Sequence, residues 1–275
     1  MSKRLRSSLF SLLFLFAESA FAAPLKPGGF TIVLDPGHGG TDFGAVHTET
    51  KNGKKTTFSE KDAVLRLALE AKRQLEKKGY PVLLTRDRDA DIALNARTAI
   101  ANRAGAKIFV SLHMNSVEGN SKAEGIETFL LNSTTDQTSA RLAELENKGL
   151  DPTQGSKPTG ETEVNLIVKD ITIDGNVSES KRLACALQDH LTAVTKQRTR
   201  GVKQAMFVVL LGADMPTSLV EAGFVTSERD RKLISSEHGV RAMATAIVRA
   251  LDQFRTRQGT EAARQDLGRC LVSDH

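Results

Sequence analysis

Short, continuous apolar runs alternate with longer amphipathic segments along this sequence. Residues 30–34, 81–85 and 107–112 are apolar runs with the length and composition typical of strands that are buried on both faces. Segments 59–78 and 92–103, which lie between these runs, carry apolar residues at helical spacing. The alternation predicts an α/β fold: a single domain with a twisted, mostly parallel sheet of about six strands and helices on both faces.

The pattern continues less regularly in the second half of the chain. Three further strands are predicted at 126–131, 205–210 and 218–220, and four further helices at 138–148, 177–197, 228–235 and 238–256. A polar stretch with several Pro and Gly residues at 149–162 interrupts the rhythm. We therefore interpret residues 30–256 as one domain with an insertion at 138–176, and residues 257–275 as a polar, poorly ordered tail.

The N-terminus has the organisation of a secretory signal peptide. It has a basic region at residues 3–6, a short apolar core at 9–17 and a small-residue cleavage site at 20–22. We predict a signal peptide at 1–22 and a leader linker at 23–29, so the chain is expected to be exported. No Cys follows the cleavage site and no later stretch is apolar enough to span a bilayer, so no stable membrane anchor is expected.

The composition narrows the choice of partners. The chain has no Trp and only one Tyr, which argues against the stacked aromatic surface that single-stranded nucleic acid requires. The formal net charge of +5 falls to +3 without the basic leader, an excess that suits an anionic polymer but does not indicate nucleic acid. Of the two cysteines, Cys185 is predicted to be a small core residue, and a bridge between Cys185 and Cys270 is left open.

Side chains able to bind a metal follow three of the predicted strands. His38 follows the first strand through a Gly-rich loop, His113 follows the strand at 107–112, and Glu221 follows the strand at 218–220. Because ligands bind beyond the carboxyl ends of the strands in open α/β sheets, these side chains are expected to meet in one crevice. Glu60 lies in the first turn of the helix that follows Ser59, and this helix start is expected to face the same crevice.

Two imidazoles and one carboxylate form a common catalytic zinc set, which leaves a fourth position for water. A second carboxylate then serves as the general base, a role open to Glu221. The residues alone also allow plainer interpretations. Each histidine is compatible with a structural role, Glu60 with an acid favoured by the helix dipole, and Glu221 with a partner of an arginine.

The motifs, taken in order, resemble those of a known family. Asp35-Pro36-Gly37-His38-Gly39-Gly40 is similar to the opening motif of the zinc-dependent N-acetylmuramoyl-L-alanine amidases of type 3. Glu60-Lys61 resembles the family's helix start, His113-x-Asn115 its second metal motif, and Val220-Glu221-Ala222-Gly223 its catalytic strand. The resemblance covers about residues 30–256. It implies that one Zn²⁺ is bound by His38, Glu60 and His113, that Glu221 is the catalytic base, and that Asn115 binds substrate or orients a ligand.

The resemblance also implies a substrate and a form of regulation. The substrate is expected to be peptidoglycan, cut at the amide between the lactyl group of N-acetylmuramic acid and L-alanine, in wall remodelling or daughter-cell separation. In the cell-division group an inserted helix blocks the zinc until an activator protein removes it, and residues 141–147 resemble the start of that helix. We therefore hypothesise that a carboxylate of the 138–176 insertion, Glu146 in preference to Glu144, occupies the fourth zinc position.

A periplasmic monomer with no nucleic-acid partner is expected.

Two other functions remain open on the sequence alone. One is a peptidoglycan carboxypeptidase, or another zinc peptidase on the same scaffold. The other is a non-catalytic wall-binding module, which is disfavoured because such a module has no use for a separate general base.

Overall fold

The structure is a computed structural model that describes residues 29–134, 136–149 and 160–261. The predicted signal peptide lies outside these residues, as do all but the last residue of the leader linker and most of the predicted tail. Within the described part of the chain, no helix is long and apolar enough to cross a membrane.

Eight strands form two sheets in the described residues. They are β1 (Ile32–Pro36), β2 (Val46–Lys51), β3 (Lys54–Ser59), β4 (Val82–Leu84), β5 (Ile108–Asn115), β6 (Ile126–Leu131), β7 (Thr199–Ala205) and β8 (Thr217–Phe224). Six of them form the main sheet in the order β4-β1-β5-β8-β6-β7, and β2 with β3 forms a separate hairpin. Only the β8–β6 pairing of the main sheet is antiparallel. The predicted mostly parallel sheet of about six strands is confirmed.

Six α-helices surround the sheet in the described residues. They are α1 (Glu60–Lys77), α2 (Leu94–Arg103), α3 (Gln137–Glu146), α4 (Gly160–Thr195), α5 (Glu228–Ser235) and α6 (Glu237–Arg257). Buried residues of α1, α4 and α6 share one apolar cluster with the sheet, whereas buried residues of α2 and α3 belong to a second cluster. Helices therefore cover both faces of the sheet, as predicted.

Alternate side chains of the central strands enter the two apolar layers. In β1, Ile32 and Leu34 belong to the cluster with α1 and α6, while Val33 belongs to the cluster with α2 and α3. All three side chains are fully buried, and burial of one such side chain contributes roughly 1.5–3 kcal/mol. Because a shift of one residue would reverse these faces, packing fixes the register of β1. It thereby fixes where the following Asp35–His38 segment leaves the sheet.

The predicted strand at 205–210 is wrong. β7 ends at Ala205, and Val208–Leu210 forms a short 3₁₀-helix. The apolar side chains of Phe207, Val209 and Leu210 are buried in the second cluster without strand pairing, so this apolar run reflects burial rather than extended backbone. β7 itself is largely polar because it is an edge strand that pairs with β6 alone.

The helix predicted at 177–197 begins earlier, at Gly160, and ends at Thr195. It therefore includes the end of the 149–162 stretch that was predicted to be irregular. Residues 160–176 are rich in β-branched side chains and lack the apolar spacing that marks an amphipathic helix. The pattern alone therefore underestimates the length of the helix. Cys185 in this helix is buried, as predicted, and is disulfide-bonded. Cys270, the other cysteine of the sequence, lies outside the described residues.

Candidate metal centre

Four side chains converge at the carboxyl ends of β1 and β5, and we call them the metal-competent cluster. The cluster consists of His38, Glu60, His113 and Glu146, whose ligand atoms all lie within 4.8 Å of one another. Nε2 of His38 lies 3.0 Å from Oε1 of Glu60 and 3.3 Å from Oε2 of Glu146. Nδ1 of His113 lies 3.1 Å from the same Glu60 oxygen and 3.0 Å from the same Glu146 oxygen.

These distances fit a bound metal ion. Nε2 of His38 and Oε2 of Glu146 are buried and make no hydrogen bond to a described residue, although both lie in a crowded polar cluster. Zinc–ligand bonds of about 2.0–2.1 Å at tetrahedral angles would separate neighbouring ligand atoms by about 3.3 Å. The four nitrogen–oxygen separations in the cluster, 3.0–3.3 Å, are close to this value. Two imidazoles and two carboxylates are also a donor set that zinc accepts.

The loop after β1 makes room for the cluster. His38 adopts the left-handed backbone conformation, with φ of 58°, which is uncommon outside glycine. A Cβ atom on Gly37 would lie 2.4 Å from the His113 ring, and one on Gly44 would lie 2.5 Å from the His38 ring and 2.6 Å from Oε2 of Glu60. Glycine at these two positions therefore allows the rings and the carboxylate to approach one another.

Hydrogen bonds fix the orientation of the ligands. Nδ1 of His38 pairs with Oδ2 of Asp42 at 2.8 Å, which leaves Nε2 to face the cluster. The Glu60 carboxylate accepts the backbone N–H of Ala45 on one oxygen and that of Met114 on the other, each at 2.8 Å. These contacts hold the donors in place before a metal binds, as partners of metal ligands commonly do.

A buried ion pair supports the backbone under His38. Nη1 of Arg97 donates to Oδ1 of Asp35 at 2.8 Å, and Nη2 of Arg97 donates to the carbonyl of His38 at 3.0 Å. Nη2 of Arg86 donates to the carbonyl of Gly37 at 2.7 Å. Both arginines are buried, so two fixed guanidinium groups hold the backbone of the loop that carries His38.

The charges of the cluster shift one another's pKa. Burial alone would lower the pKa of His38 and His113, but the carboxylates of Glu60 and Glu146 outweigh it and raise both, that of His113 to about 10. Burial alone would raise the pKa of Glu60 and Glu146, but the two imidazoles outweigh it and lower both. These shifts favour the protonated imidazoles, so binding of a metal at these nitrogens would be coupled to the release of protons.

Glu221 lies beside the cluster without being part of it. Its Cα atom is directly opposite that of His113 in the β5–β8 pairing. The side chain is fully buried, and neither carboxylate oxygen has a hydrogen-bond partner in the described residues. Burial, to which the nearby Glu146 and Glu60 carboxylates add, raises the pKa of Glu221 well above its ordinary value despite the opposing His113. The alternative of an arginine partner for Glu221 does not hold for the described residues.

Of the other predicted site residues, Asn115 and Glu146 lie at the site, whereas Glu144 does not. Asn115 is buried at the end of β5 and donates from Nδ2 to Oε1 of Glu127 at 2.6 Å. Glu146, the last residue of α3, reaches the cluster, whereas Glu144 on the same helix is exposed and does not. Asp42 and Glu127 were not singled out as functional residues from the sequence. Asp42 did stand within the loop motif four residues after His38, but Glu127 carried no local signal.

A mostly parallel α/β sheet with a buried metal-competent cluster and a separate carboxylate at its strand ends defines a hydrolase-type site. Comparison with known proteins narrows the class. Residues 32–253 match the family model described as N-acetylmuramoyl-L-alanine amidase. The chain is 33% identical over 233 residues to the amidase AmiA of Escherichia coli K12, covering 83% of this chain and 78% of that protein. It is 32% identical over 224 residues to the amidase AmiC of Neisseria meningitidis serogroup B, covering 81% of this chain and 52% of that protein.

A solved structure agrees with these sequence matches. The amidase from Clostridium difficile 630 superimposes with a TM-score of 0.63 at 28% identity, over 84% of this chain and 99% of that one. The chain belongs to the N-acetylmuramoyl-L-alanine amidase family, and it is an amidase that cleaves peptidoglycan. The predicted family, fold and activity are confirmed, and the carboxypeptidase and binding-module alternatives are not needed. The chain spans about half the length of the Neisseria relative.

Proposed function

We propose that this amidase is zinc-dependent and hydrolyses the amide between the lactyl group of N-acetylmuramic acid and L-alanine. His38, Glu60 and His113 bind one zinc ion, and Glu221 is the catalytic acid and base. The observation that carries the proposal is the metal-competent cluster, in which two imidazoles and two carboxylates converge. Nε2 of His38 and Oε2 of Glu146 are buried there without a hydrogen-bond partner in the described residues. Zinc, when bound, would polarise the carbonyl of the substrate and lower the pKa of its bound water to about 7.

Glu221 performs the proton transfers. Its carboxylate accepts the proton that the attacking water loses and delivers it to the nitrogen of the leaving L-alanine, so that the C–N bond breaks to a carboxylate and a free amine. Burial, to which the nearby carboxylates add, raises the pKa of Glu221 and helps it to hold the proton between these two steps. With no hydrogen-bond partner in the described residues, both oxygens are available for water and substrate.

Digestion of purified peptidoglycan tests the reaction. We expect free peptides that begin with L-alanine, identified by mass, and glycan strands without peptides. Release of D-alanine alone would instead indicate a carboxypeptidase and contradict the proposal. The natural chain and the Glu146→Ala variant are both assayed, since a closed resting state could conceal the activity of the first.

We further propose that Glu146 keeps the resting enzyme closed. Its Oε2 lies 3.3 Å from Nε2 of His38 and 3.0 Å from Nδ1 of His113, which is the place expected of a fourth ligand. Glu146 stands where water must sit for hydrolysis. The predicted regulatory insertion, which includes α3, is then the target of an activator protein that withdraws the helix.

A matched pair of variants tests the closed state. Glu146→Ala removes the fourth carboxylate, and we expect basal activity on peptidoglycan to rise about tenfold or more as the open population grows. Glu144→Ala changes an exposed residue of the same helix and serves as the control, with unchanged basal activity. Equal activity of both variants and the natural chain would contradict the closed state without touching the assignment of the zinc ligands.

We also propose that the enzyme works in the periplasm as a soluble monomer. The family acts on peptidoglycan and is therefore extracytoplasmic, and the signal-peptide pattern at 1–22 supports export. Cell fractionation, with sequencing of the mature N-terminus, tests this. Cleavage after Ala22 and recovery in the periplasmic fraction are expected, and an intact N-terminus in the cytoplasm would contradict it.

A further inference from the structure

A second cavity adjoins the one that borders the metal-competent cluster. The first has a volume of about 600 Å³ and is bordered by His38 and Glu146. The second has a volume of about 420 Å³ and is bordered by Asn115, Arg200 and Phe224. Arg141, Leu142 and Leu145 of α3 line both cavities. The two cavities are therefore neighbouring parts of one groove along α3.

A buried carboxylate supports the wall of the second cavity. Glu127 is 1% exposed, and its Cα atom is directly opposite that of Glu221 in the β6–β8 pairing. Its Oε2 accepts a hydrogen bond from Nζ of Lys203 at 2.7 Å and lies 3.3 Å from Nε of Arg200. One carboxylate thus lies against two cations, which leaves an excess of positive charge on this side of the catalytic strand.

Arg200 is the group that presents this charge to the cavity. Its side chain is 25% exposed, and its guanidinium lies over the Phe224 ring at 4.9 Å. The buried Nε makes no hydrogen bond to a described residue, despite its short distance from Glu127. The planar group is held by charge and by stacking, while its N–H groups make no hydrogen bond to a described residue and can donate to a ligand. A fixed guanidinium matches the two oxygens of a carboxylate.

The other polar groups around the cavity agree with an anionic ligand. Asn115 is fixed on Glu127 at the end of β5, and Arg141 of α3 adds a second cation to the wall while that helix lies across the groove. Glu118 is the one acidic residue among those that line the cavity, and its side chain is exposed at the rim, where solvent screens its charge.

We propose that this cavity is a subsite for a carboxylate of the peptide part of the substrate and that Arg200 recognises it. The inference rests on the proposed function and names a specificity determinant of the same site. The scissile amide joins the glycan to the N-terminus of a peptide, so the peptide runs away from Glu221 and carries free carboxylates. Glu127 contacts Arg200 and is paired with Glu221 on the adjacent strand. The Arg200 cavity therefore lies next to the proposed catalytic residue, within reach of a peptide that extends from it.

The test compares two substrates and three variants of the zinc-loaded full chain. The substrates are a muropeptide with free peptide carboxylates and the same muropeptide with those groups amidated. For Arg200→Ala we expect KM for the free-acid muropeptide to rise about tenfold or more, as loss of a charged hydrogen bond predicts. We expect little change in kcat, and little change in KM for the amidated muropeptide. The KM of Arg200→Lys is expected to lie between those of the natural chain and Arg200→Ala, because lysine keeps the charge but lacks the planar, bidentate guanidinium. Arg198→Ala, at an exposed arginine that lines neither cavity, is the control.

Binding of the product peptide provides a readout that does not depend on turnover. Calorimetric titration of the natural chain, and of the Glu146→Ala chain in which the groove is expected to open, should show tighter binding of the free peptide than of its amidated form. Arg200→Ala should abolish this preference while leaving the unfolding temperature within about 2 °C of the control. Equal losses toward both substrates, or a preference that survives in Arg200→Ala, would overturn the subsite.

The two readouts separate the failure of this inference from that of the proposed function. If no chain releases peptides from the glycan but the free peptide still binds through Arg200, the proposed reaction is wrong and the subsite stands. If peptides are released with no dependence on Arg200 or on the free carboxylates, the reaction stands and the subsite is wrong.

Discussion

His38 reaches the metal-competent cluster because Asp42, four residues later, holds its other ring nitrogen. Asp42 is half-exposed, so its contribution to folding is small, but it selects the orientation and tautomer of a ligand. We predict that Asp42→Ala weakens zinc affinity by about 10- to 100-fold with little change in stability. Competition with a chelator measures the affinity. Asp87→Ala, at an exposed residue far along the chain from His38, is the control, and equal affinities of the two variants would contradict the role of Asp42.

Glu221 offers a second prediction for a single residue. Glu221→Gln keeps the shape of the side chain but cannot accept a proton. We expect kcat to fall by about 10²–10⁴-fold, the usual contribution of general acid–base catalysis, while zinc content stays at that of the natural chain. Steady-state kinetics on a soluble muropeptide, with metal analysis of the same sample, checks both. If zinc is lost together with activity, Glu221 is a ligand rather than the proton carrier.

Motifs predicted these residues to different degrees. His38, Glu60 and His113 each stand at the end of a recognisable strand or at a helix start, and parallel strand ends must meet at one edge of the sheet. Their convergence therefore follows from local patterns. Glu127 and Arg200 come from strands that lie more than 70 positions apart in the sequence and pair in parallel at the sheet edge. Their contact depends on strand order, which no local pattern contains.

In the proposed closed state, the position of helix α3 decides whether the groove is open. Asp136 caps its first turn by accepting the backbone N–H of Ser139 at 2.9 Å. At its other end, Nδ2 of Asn147 donates to the carbonyl of Met206, and Oδ1 accepts the N–H of Val208, each at 2.9 Å. These two hydrogen bonds fasten the end of the helix that carries Glu146.

Loss of this fastening should loosen α3. We predict that Asn147→Ala increases amide hydrogen exchange in residues 137–146 by up to about 30-fold, since two hydrogen bonds of about 1 kcal/mol each are removed. Basal activity should rise at the same time. The control is Glu144→Ala, which leaves both bonds intact. Faster exchange throughout the molecule, rather than in α3 alone, would show a general loss of stability instead.

Elements were predictable where apolar spacing follows the geometry of the element. The central strands are buried on both faces and read as continuous apolar runs, so β1 and β5 were found. β7 pairs on one side only and has polar residues, whereas the apolar run at 206–210 packs as a loop and a short 3₁₀-helix. The hairpin shows the same limit. Its exposed strands β2 and β3 carry no apolar pattern, so the sequence did not predict them.

For the whole molecule, the buried pair of Asp35 and Arg97 links stability to pH. Burial would raise the pKa of Asp35, but Arg97 and the hydroxyls of Thr85 and Ser111 outweigh it and hold the pKa below the ordinary 3.8. A carboxyl whose pKa is depressed by folding stabilises the fold above its unfolded pKa and loses that effect as pH falls through its folded pKa. We predict that the free energy of unfolding declines below about pH 4.

The matched variant for this prediction is Asp35→Asn. It should lower stability at neutral pH by about 3–5 kcal/mol, because Arg97 is left buried without its partner. The part of the decline below pH 4 that Asp35 causes should also disappear. Urea unfolding between pH 3 and 7, with Asp87→Asn as an exposed control, measures both effects. An unchanged acid profile in Asp35→Asn would show that other carboxyls account for the decline.

The whole fold was more predictable than the approach of Glu146 to the metal-competent cluster. Alternating strands and helices require a layered α/β sheet, and its strand ends define the crevice. The approach of Glu146 depends instead on how a helix far along the chain packs across that crevice. The regulated members of the family suggested this approach, and its geometry, with Oε2 3.0 Å from Nδ1 of His113, emerges only from the folded chain.

The most direct test of the account is the metal content of the natural chain and of His113→Ala, measured beside peptidoglycan digestion. We predict one zinc per natural chain. For His113→Ala, we predict substoichiometric zinc and no release of peptides that begin with L-alanine, while the circular dichroism spectrum remains native. Zinc at full stoichiometry in a folded His113→Ala variant, or amide cleavage by natural chains stripped of zinc, would contradict the assignment of this cluster as the catalytic metal centre.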